Sequence, residues 1–562
     1  MFTLLAAGCS PAPESGPAVC EADAVPIEEI QGEDWYSPLE NRPATVRGVV
    51  TALEPGRGFY LEQPGDGRPG KSSRALFVAD EDRLAAIRPG QELQLSGVVE
   101  EAGSDRDTIT ALAAIQSSTV CGENRELPLT TVDLPMGNRA REALEGMRVR
   151  VAENLVVTDP YSLYRGVVTL SEDSALRVPT EDARPGAPAD ELAQRNRQRS
   201  LLTKLPGTAA PALPAGTALG ALTGVLGHDG RRQRLLAETS PATDVPLPES
   251  LPPAPVSGLR VVNSNLLNFF NGDGRGGGFP TERGAETPAE FDAQRARTAA
   301  AFAQLQPDLL AVQELENDGF DRYSAAATLR ELLSDATGHA FAVIDPGTPR
   351  IGGDVITVGL FYRPDRLRPT GPPQVLASAE FQGLSRQPLA QVFETREGGQ
   401  RFLVVVNHLK SKGSCPDEGP NRAQGDGQGC WNPARTAAVR AQLPWLQQLA
   451  AAADTDRILV LGDMNAWRLE DPISAFRAAG LVDLVEEWQG LPLHSYRFFG
   501  QAGTLDYAFA SPALAQHSRA AYLWHINADW PRNMELPQPW LRMSDHDPVI
   551  VDLDFSHPAS SD

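Results

Sequence analysis

The chain has 562 residues, more than one hydrophobic core usually holds, and 41% of them are hydrophobic, enough for several folded domains. A formal net charge of −23 argues against a repressor-like, charge-driven grip on a polyanion and leaves only local basic patches for such contacts. No run of about 18 apolar residues occurs, so no membrane-spanning helix is predicted.

The start, MFTLLAAGCS, resembles the end of a bacterial lipoprotein signal. Small residues precede Cys9, which would be lipidated after cleavage, although Ala6 stands where leucine is usual and no basic segment comes before it. Residues 1–19 are therefore expected to be a signal remnant and tether. Short alternating segments follow: TVRGVV (45–50), GFYLEQ (58–63), ALFVAD (75–80) and ELQLSGVVEE (92–101). With turn residues between them they predict a small barrel or sandwich over 20–121. RVRVAENLVV (148–157) and GVVTLS (166–171) predict a second β-rich domain over 122–240, with PTEDARPGAPADE (179–191) as a surface excursion. Residues 241–257 are proline-rich and read as a linker.

From 258 to 556 the pattern changes to long apolar runs that end on polar residues, and 557–562 reads as a tail. SNLLNFF (264–270) carries Asn265. An amphipathic helix over roughly 289–306 then leads into DLLAVQE (308–314), which ends on Glu314. GLFYRP and SRQPLAQVF carry Tyr362 and Arg386. RFLVVVNHLKSK (401–412) is an apolar strand ending on Asn407 and His408, and Ile458–Leu461 delivers GDMN, with Asp463 and Asn465 at the carboxyl end where open sheets keep their sites. TLDYAFAS (504–511) places Asp506 in an apolar run, where an unpaired carboxylate is costly and a histidine is the natural partner. SDHDPV (544–549) sets Asp545, a hard oxygen donor, beside His546, a group that exchanges protons near neutrality, at the start of a buried strand. GxSxG and HExxH patterns are absent, and the glycine run 272–278 lacks a P-loop lysine and reads as a surface loop.

The ordered set Asn265, Glu314, His408, GDMN, LDY and SDH resembles the endonuclease/exonuclease/phosphatase superfamily. The resemblance is closest to secreted bacterial nucleases with an N-terminal OB-like domain and a KSKG…GQGxWN insertion, here residues 410–432. It implies a multidomain chain, with β-rich OB-like parts followed by a four-layer α/β sandwich of the DNase I type. It implies Mg²⁺ or Mn²⁺, with Ca²⁺ as a further candidate, held by Glu314, Asn265 and Asp545. Asp463 and Asn465 would position water and hold the phosphate. His546, oriented by Asp506, and His408 would exchange protons on the two sides of the reaction, with the acid and base assignments open. Tyr362, Arg386 and Asn465 would contact phosphate. The substrate would be DNA, with RNA as the alternative. A basic strip of Arg386, Arg401, Lys410, Lys412, Arg422 and Arg435 is a candidate track for it, and Phe59, Tyr60 and Phe77 are candidate stacking residues of the OB-like part. Membrane contact would come only through a lipid anchor, no protein partner is inferable, and the location would be extracellular or the bacterial outer-membrane surface.

Five cysteines suit that compartment. With Cys9 lipidated, the expected pairs are Cys20 with Cys121 and Cys415 with Cys430; two other connectivities stay open. Two rival functions remain. One is a lipid or small-ester phosphohydrolase of the same superfamily, for which Trp524, Trp530 and Trp540 are candidate exposed aromatics. The other is a non-catalytic surface-binding protein.

Overall fold

The computed structural model describes residues 20–556, apart from short gaps at 21–22, 105–106, 152–153, 208–210 and 384 and most of 241–256. Cys9 and much of the proline-rich linker lie outside the described residues. The chain divides into two compact units, one holding residues up to 155 with 201–207 and 219–242, the other holding 156–200, 208–218 and 243 onwards.

In the first unit a closed five-stranded barrel runs from Pro43–Glu54 through Gly58–Glu62 and Ala75–Val78 to Asp107–Gly122. Glu92–Ser104 closes it back onto the first strand. Alternate residues point inward, so Val46, Val50, Phe59, Leu61, Leu93 and Leu95 form its core. The Cys20–Cys121 disulfide joins the ends of this region. Phe59, Tyr60 and Phe77 are buried, at 0%, 0% and 4% exposure, and so form no stacking platform. The reason is plain for Tyr60, whose hydroxyl donates to Glu54 Oε2 at 2.9 Å and accepts from His228 N at 3.2 Å. The same unit holds a sheet in which Thr130–Val132 pairs with Arg148–Val151, and Leu222–His228 lies between that strand and Gln233–Ala237.

The stretch 122–240 divides between the units. Residues 179–191 are a surface excursion only in part: Thr180 and Glu181 at their start are fully buried against the second unit's sandwich, while Asp182, Arg184, Asp190 and Glu191 are exposed. Glu181 Oε1 accepts from Thr504 N at 2.8 Å and Arg468 N at 3.1 Å, and Thr180 Oγ1 donates to Glu470 at 3.1 Å.

Two six-stranded sheets make up the heart of the second unit. The first has the order Ala342–Val343, Ile356–Tyr362, Leu309–Glu316, Leu259–Phe269, Val549–Leu553, Ser518–Leu523. The second has the order Leu367–Val375, Arg386–Thr395, Arg401–His408, Ile458–Asp463, Asp506–Ala510, Val482–Asp483. The long apolar runs are explained by burial on both faces of each sheet. Val261, Leu309, Val404 and Leu459 fill the space between the sheets. Their neighbours Val262 and Leu310 pack toward helices Pro288–Leu305 and Ala325–Thr337. Val405 and Val460 pack toward Asn432–Ala452 and Asp471–Ala478. The result is helix, sheet, sheet, helix.

Candidate active site

Strand register gathers the polar residues at one rim. His408 stands opposite Asp463 in a parallel pair, and Asp463 opposite Asp506 in an antiparallel one, so three motifs far apart in sequence become neighbours. The close approach depends on Gly462, at φ 144°, where a Cβ would lie 2.2 Å from Asn407 O. In the other sheet, Val549 pairs with Asn263, which brings His546 to the same rim as Asn265.

Both central strands of that sheet are bulged here. The register shifts between Asn265 and Phe269 and again between Val312 and Leu315, with Leu267, Asn268 and Glu314 at φ 52°, 54° and 60°. Bulges re-aim side chains next to sites. This pair turns Asn268 N onto Glu314 Oε2 at 3.0 Å, while the Asn265 amide donates to Asp463 Oδ2 at 3.3 Å.

His546 Nδ1 is 2.8 Å from Asp506 Oδ2, which also accepts from Ser495 Oγ at 2.7 Å. The other ring nitrogen of His546 lies 4.0 Å from Asp463 Oδ2, and His408 Nε2 lies 3.4 Å from that same oxygen. Asn465, at φ 47°, donates its backbone N–H to Asp463 Oδ1 and its amide to Leu409 O. Arg386 is buried beside His408, with Nη1 3.4 Å from its Nε2 and Nε 3.0 Å from Asp354.

Burial dominates the electrostatics. It pushes the Asp463 carboxyl up to about 7, reinforced by Asp506 and Glu314 and opposed by His546. Burial and then Asp545 raise Glu314. Burial, Arg386 and His546 push His408 well below the ordinary imidazole range. For His546 burial opposes protonation, yet the Asp506 and Asp463 carboxylates outweigh it and hold the ring well above that range. Two histidines driven in opposite directions around one carboxylate are an arrangement for moving a proton.

The sequence profile of the Endonuclease/Exonuclease/phosphatase family matches residues 263–546, just over half of the chain, from the strand of Asn265 to His546 itself. The chain belongs to that family. Solved structures similar to this family member include the human Nocturnin catalytic domain with bound sulfate, 20% identical over 53% of this chain and 95% of that one, with a TM-score of 0.35. A mannosyl-6-phosphatase of Bacteroides thetaiotaomicron is 18% identical over 53% of this chain and 100% of that one, TM-score 0.36. TDP2 of D. rerio, complexed with single-strand DNA product, is 17% identical over 52% of this chain and 98% of that one, TM-score 0.31. No curated protein sequence matches the chain.

In this family member Asn265, Glu314, Arg386, His408, Asp463, Asn465, Asp506 and His546 share the rim, and Asp545 lies half-exposed beside His546. Tyr362 does not. Its strand runs antiparallel to that of Glu314, with Tyr362 opposite Leu309 at the strand's start, so its ring packs on Phe393, 5.4 Å away, at the far end of the sheet. The basic strip also breaks up. Arg401 pairs with Glu394 at the far end of its strand, Lys412 pairs with Glu470, and fully buried Arg435 donates to the carbonyls of Cys430 and Lys410. The Cys415–Cys430 disulfide closes the insertion that carries Lys412.

Residues that sequence reasoning missed are Tyr496, whose ring lies 4.5 Å from that of His546, and Ser495, which braces Asp506. Asp354 and Arg283, 3.9 Å apart, flank Arg386 and were missed as well. HSYRFFG carried no recognisable spacing, and only the tertiary structure brings it to SDH.

Proposed function

We propose that this family member is a secreted or surface-anchored, metal-dependent nuclease that hydrolyses phosphodiester bonds of extracellular DNA, with RNA as the alternative, by in-line attack of water. The observation that carries the reading is the Asp506–His546–Asp463–His408 cluster, in which a carboxylate-oriented imidazole and a neutral imidazole face one buried carboxylate.

The donors suit a hard cation. Glu314, Asp463, Asp545 and the Asn265 amide oxygen are all oxygen ligands; burial drives Glu314 and Asp463 toward the neutral state that a bound cation would reverse, and Asp506 Oδ1 is buried without a hydrogen-bond partner among the described residues. Glu314, Asn265 and Asp545 would hold Mg²⁺ or Mn²⁺. When bound, such an ion neutralises charge developing on the phosphate oxygens and favours ionisation of the attacking water. Asp506 fixes the Nδ1–H tautomer of His546, leaving the other nitrogen to exchange a proton with an oxygen at phosphorus. His408 stays uncharged and serves the opposite side with Arg386, whose guanidinium fork fits a phosphate. Asn465 and Asp463 orient the water and the phosphate. Two disulfides favour an oxidising compartment, and the closed barrel with its strand order supports an OB-like reading of the first unit.

Cleavage of plasmid DNA by the full chain in Mg²⁺, Mn²⁺ or EDTA, beside His546→Ala, tests the proposal. Loss of DNA that needs both the metal and His546 is expected; DNA, and RNA assayed beside it, left intact under every condition would sink it.

A lipid phosphodiesterase is the second reading, and one feature favours it. Trp524 and Trp530 are core and Trp540 packs against it, but the hairpin of Tyr496–Phe498 and Gln501–Gly503 exposes Phe498 at 47% and Phe499 at 79%. Turnover of sphingomyelin vesicles that is lost in Phe499→Ser would move the assignment there.

A further inference from the structure

A cleft of about 610 Å³ opens beside Asp545 and is lined by distant parts of the second unit. Leu267, two residues after Asn265 and 39% exposed, forms one side. Arg297 comes from helix Pro288–Leu305, and Arg532 and Arg542 from the loop ahead of SDH. Tyr161 reaches the cleft from the 156–200 segment, outside the family-matched region.

The charge of this cleft stands against that of the chain. In a protein of net charge −23, none of these three arginines is paired with a carboxylate among the described residues. Arg542 Nη1 donates to Asn527 O at 2.5 Å, Arg532 Nη2 donates to Tyr164 Oη at 3.1 Å, and Arg297 makes no hydrogen bond or ion pair among the described residues. Glu535 and Asp545 line the same cleft without bridging to them. Unpaired guanidinium groups beside a phosphodiester site are placed for an anion. The aromatic adds a second demand: Tyr161 stays 47% exposed although Arg532 covers its ring, guanidinium carbon 3.8 Å from the centroid. An exposed ring backed by a guanidinium plane is a surface on which a base stacks, and only an unpaired base offers it a face.

We propose that the cleft is a nucleotide subsite for single-stranded nucleic acid. A base next to the scissile bond stacks on Tyr161, and flanking phosphates lie on Arg297 and Arg542. The inference rests on the nuclease reading and adds to it the strandedness of the bound segment. It also gives the 156–200 segment a role in substrate binding.

The test is fluorescence anisotropy with the full chain in an inactivating His546→Ala background, which keeps the strand intact in Mg²⁺. An oligothymidylate is compared with an abasic oligomer of the same length. The base-bearing strand should bind on the order of tenfold tighter, Tyr161→Ala should erase that preference, and Tyr161→Phe should keep it. Arg297→Ala should weaken both strands alike and reduce the salt slope by about 0.7. Equal binding of the two strands, or a preference that survives in Tyr161→Ala with an unchanged Tm, overturns the subsite. If the wild-type chain still cleaves plasmid DNA in that case, the nuclease reading stands alone; if it neither cleaves nor binds, both fall.

Discussion

His546 Nδ1 and Asp506 Oδ2 lie 2.8 Å apart, and Ser495 braces the same carboxylate oxygen. On the proposed mechanism the pair works as one device, with Asp506 orienting and charging the ring. Asp506→Asn should therefore lower kcat by roughly 10²-fold to 10⁴-fold, as should His546→Ala. The double variant should be no worse than His546→Ala alone, because residues acting as a unit are not additive. Multiplied losses in the double variant would mean that Asp506 contributes independently of the ring.

Much of this site was legible because buried strands write themselves plainly. Runs such as LVVVNH and ILVLGD end on the polar residue that the rim displays, although an unbroken apolar run does not fix the register that sets His408 opposite Asp463. Tyr362 was misplaced for the complementary reason: a strand's sequence does not tell which of its ends meets the rim, and Tyr362 closes a strand that runs the other way. Glu181 was unreadable for a third reason. A polar, proline-containing stretch looks solvated, yet here two backbone amides at Thr504 and Arg468 donate to one oxygen of the buried carboxylate and Arg177 lies 3.6 Å from the other.

The buried carboxylates make a prediction about metal. Asp463 is held up to about 7, above the ordinary 3.8, so the folded state keeps a proton that the unfolded state has lost as pH rises between those values. Stability therefore falls across that window, and a cation held by Glu314 and Asn265 beside Asp463 favours its ionised form and restores it. Mn²⁺ should raise Tm at pH 8 and barely at pH 5, with about 2.7 kcal/mol gained at one hundred times Kd. The same Tm rise in Glu314→Gln would show that the ion binds elsewhere.

Gly462 faces Asn407 of the His408 strand at φ 144°, and a Cβ there would lie 2.2 Å from Asn407 O. Gly462→Ala must twist the backbone or part the strands, and left-region strain alone costs about 1–3 kcal/mol. A lower Tm and lost turnover are expected together. A variant with wild-type Tm and activity would mean that the strands tolerate wider separation.

Glu181 supplies the last test, away from the proton-transferring residues. It is fully buried, and burial pushes its carboxyl up to about 7 from 4.5, against the pull of the Thr504 and Arg468 amides and of Arg177 and Arg468. Between those two values the folded chain holds a proton that the unfolded chain has released, so ionising Glu181 lowers stability as pH rises through the window. Glu181→Gln keeps an oxygen for the two amides and cannot ionise. Its Tm should gain on the wild type as pH rises from about 5 to 7, and the gain should level off above that. Parallel Tm profiles for the two proteins across this range would show that Glu181 is already ionised at pH 5, held by Arg177 3.6 Å away.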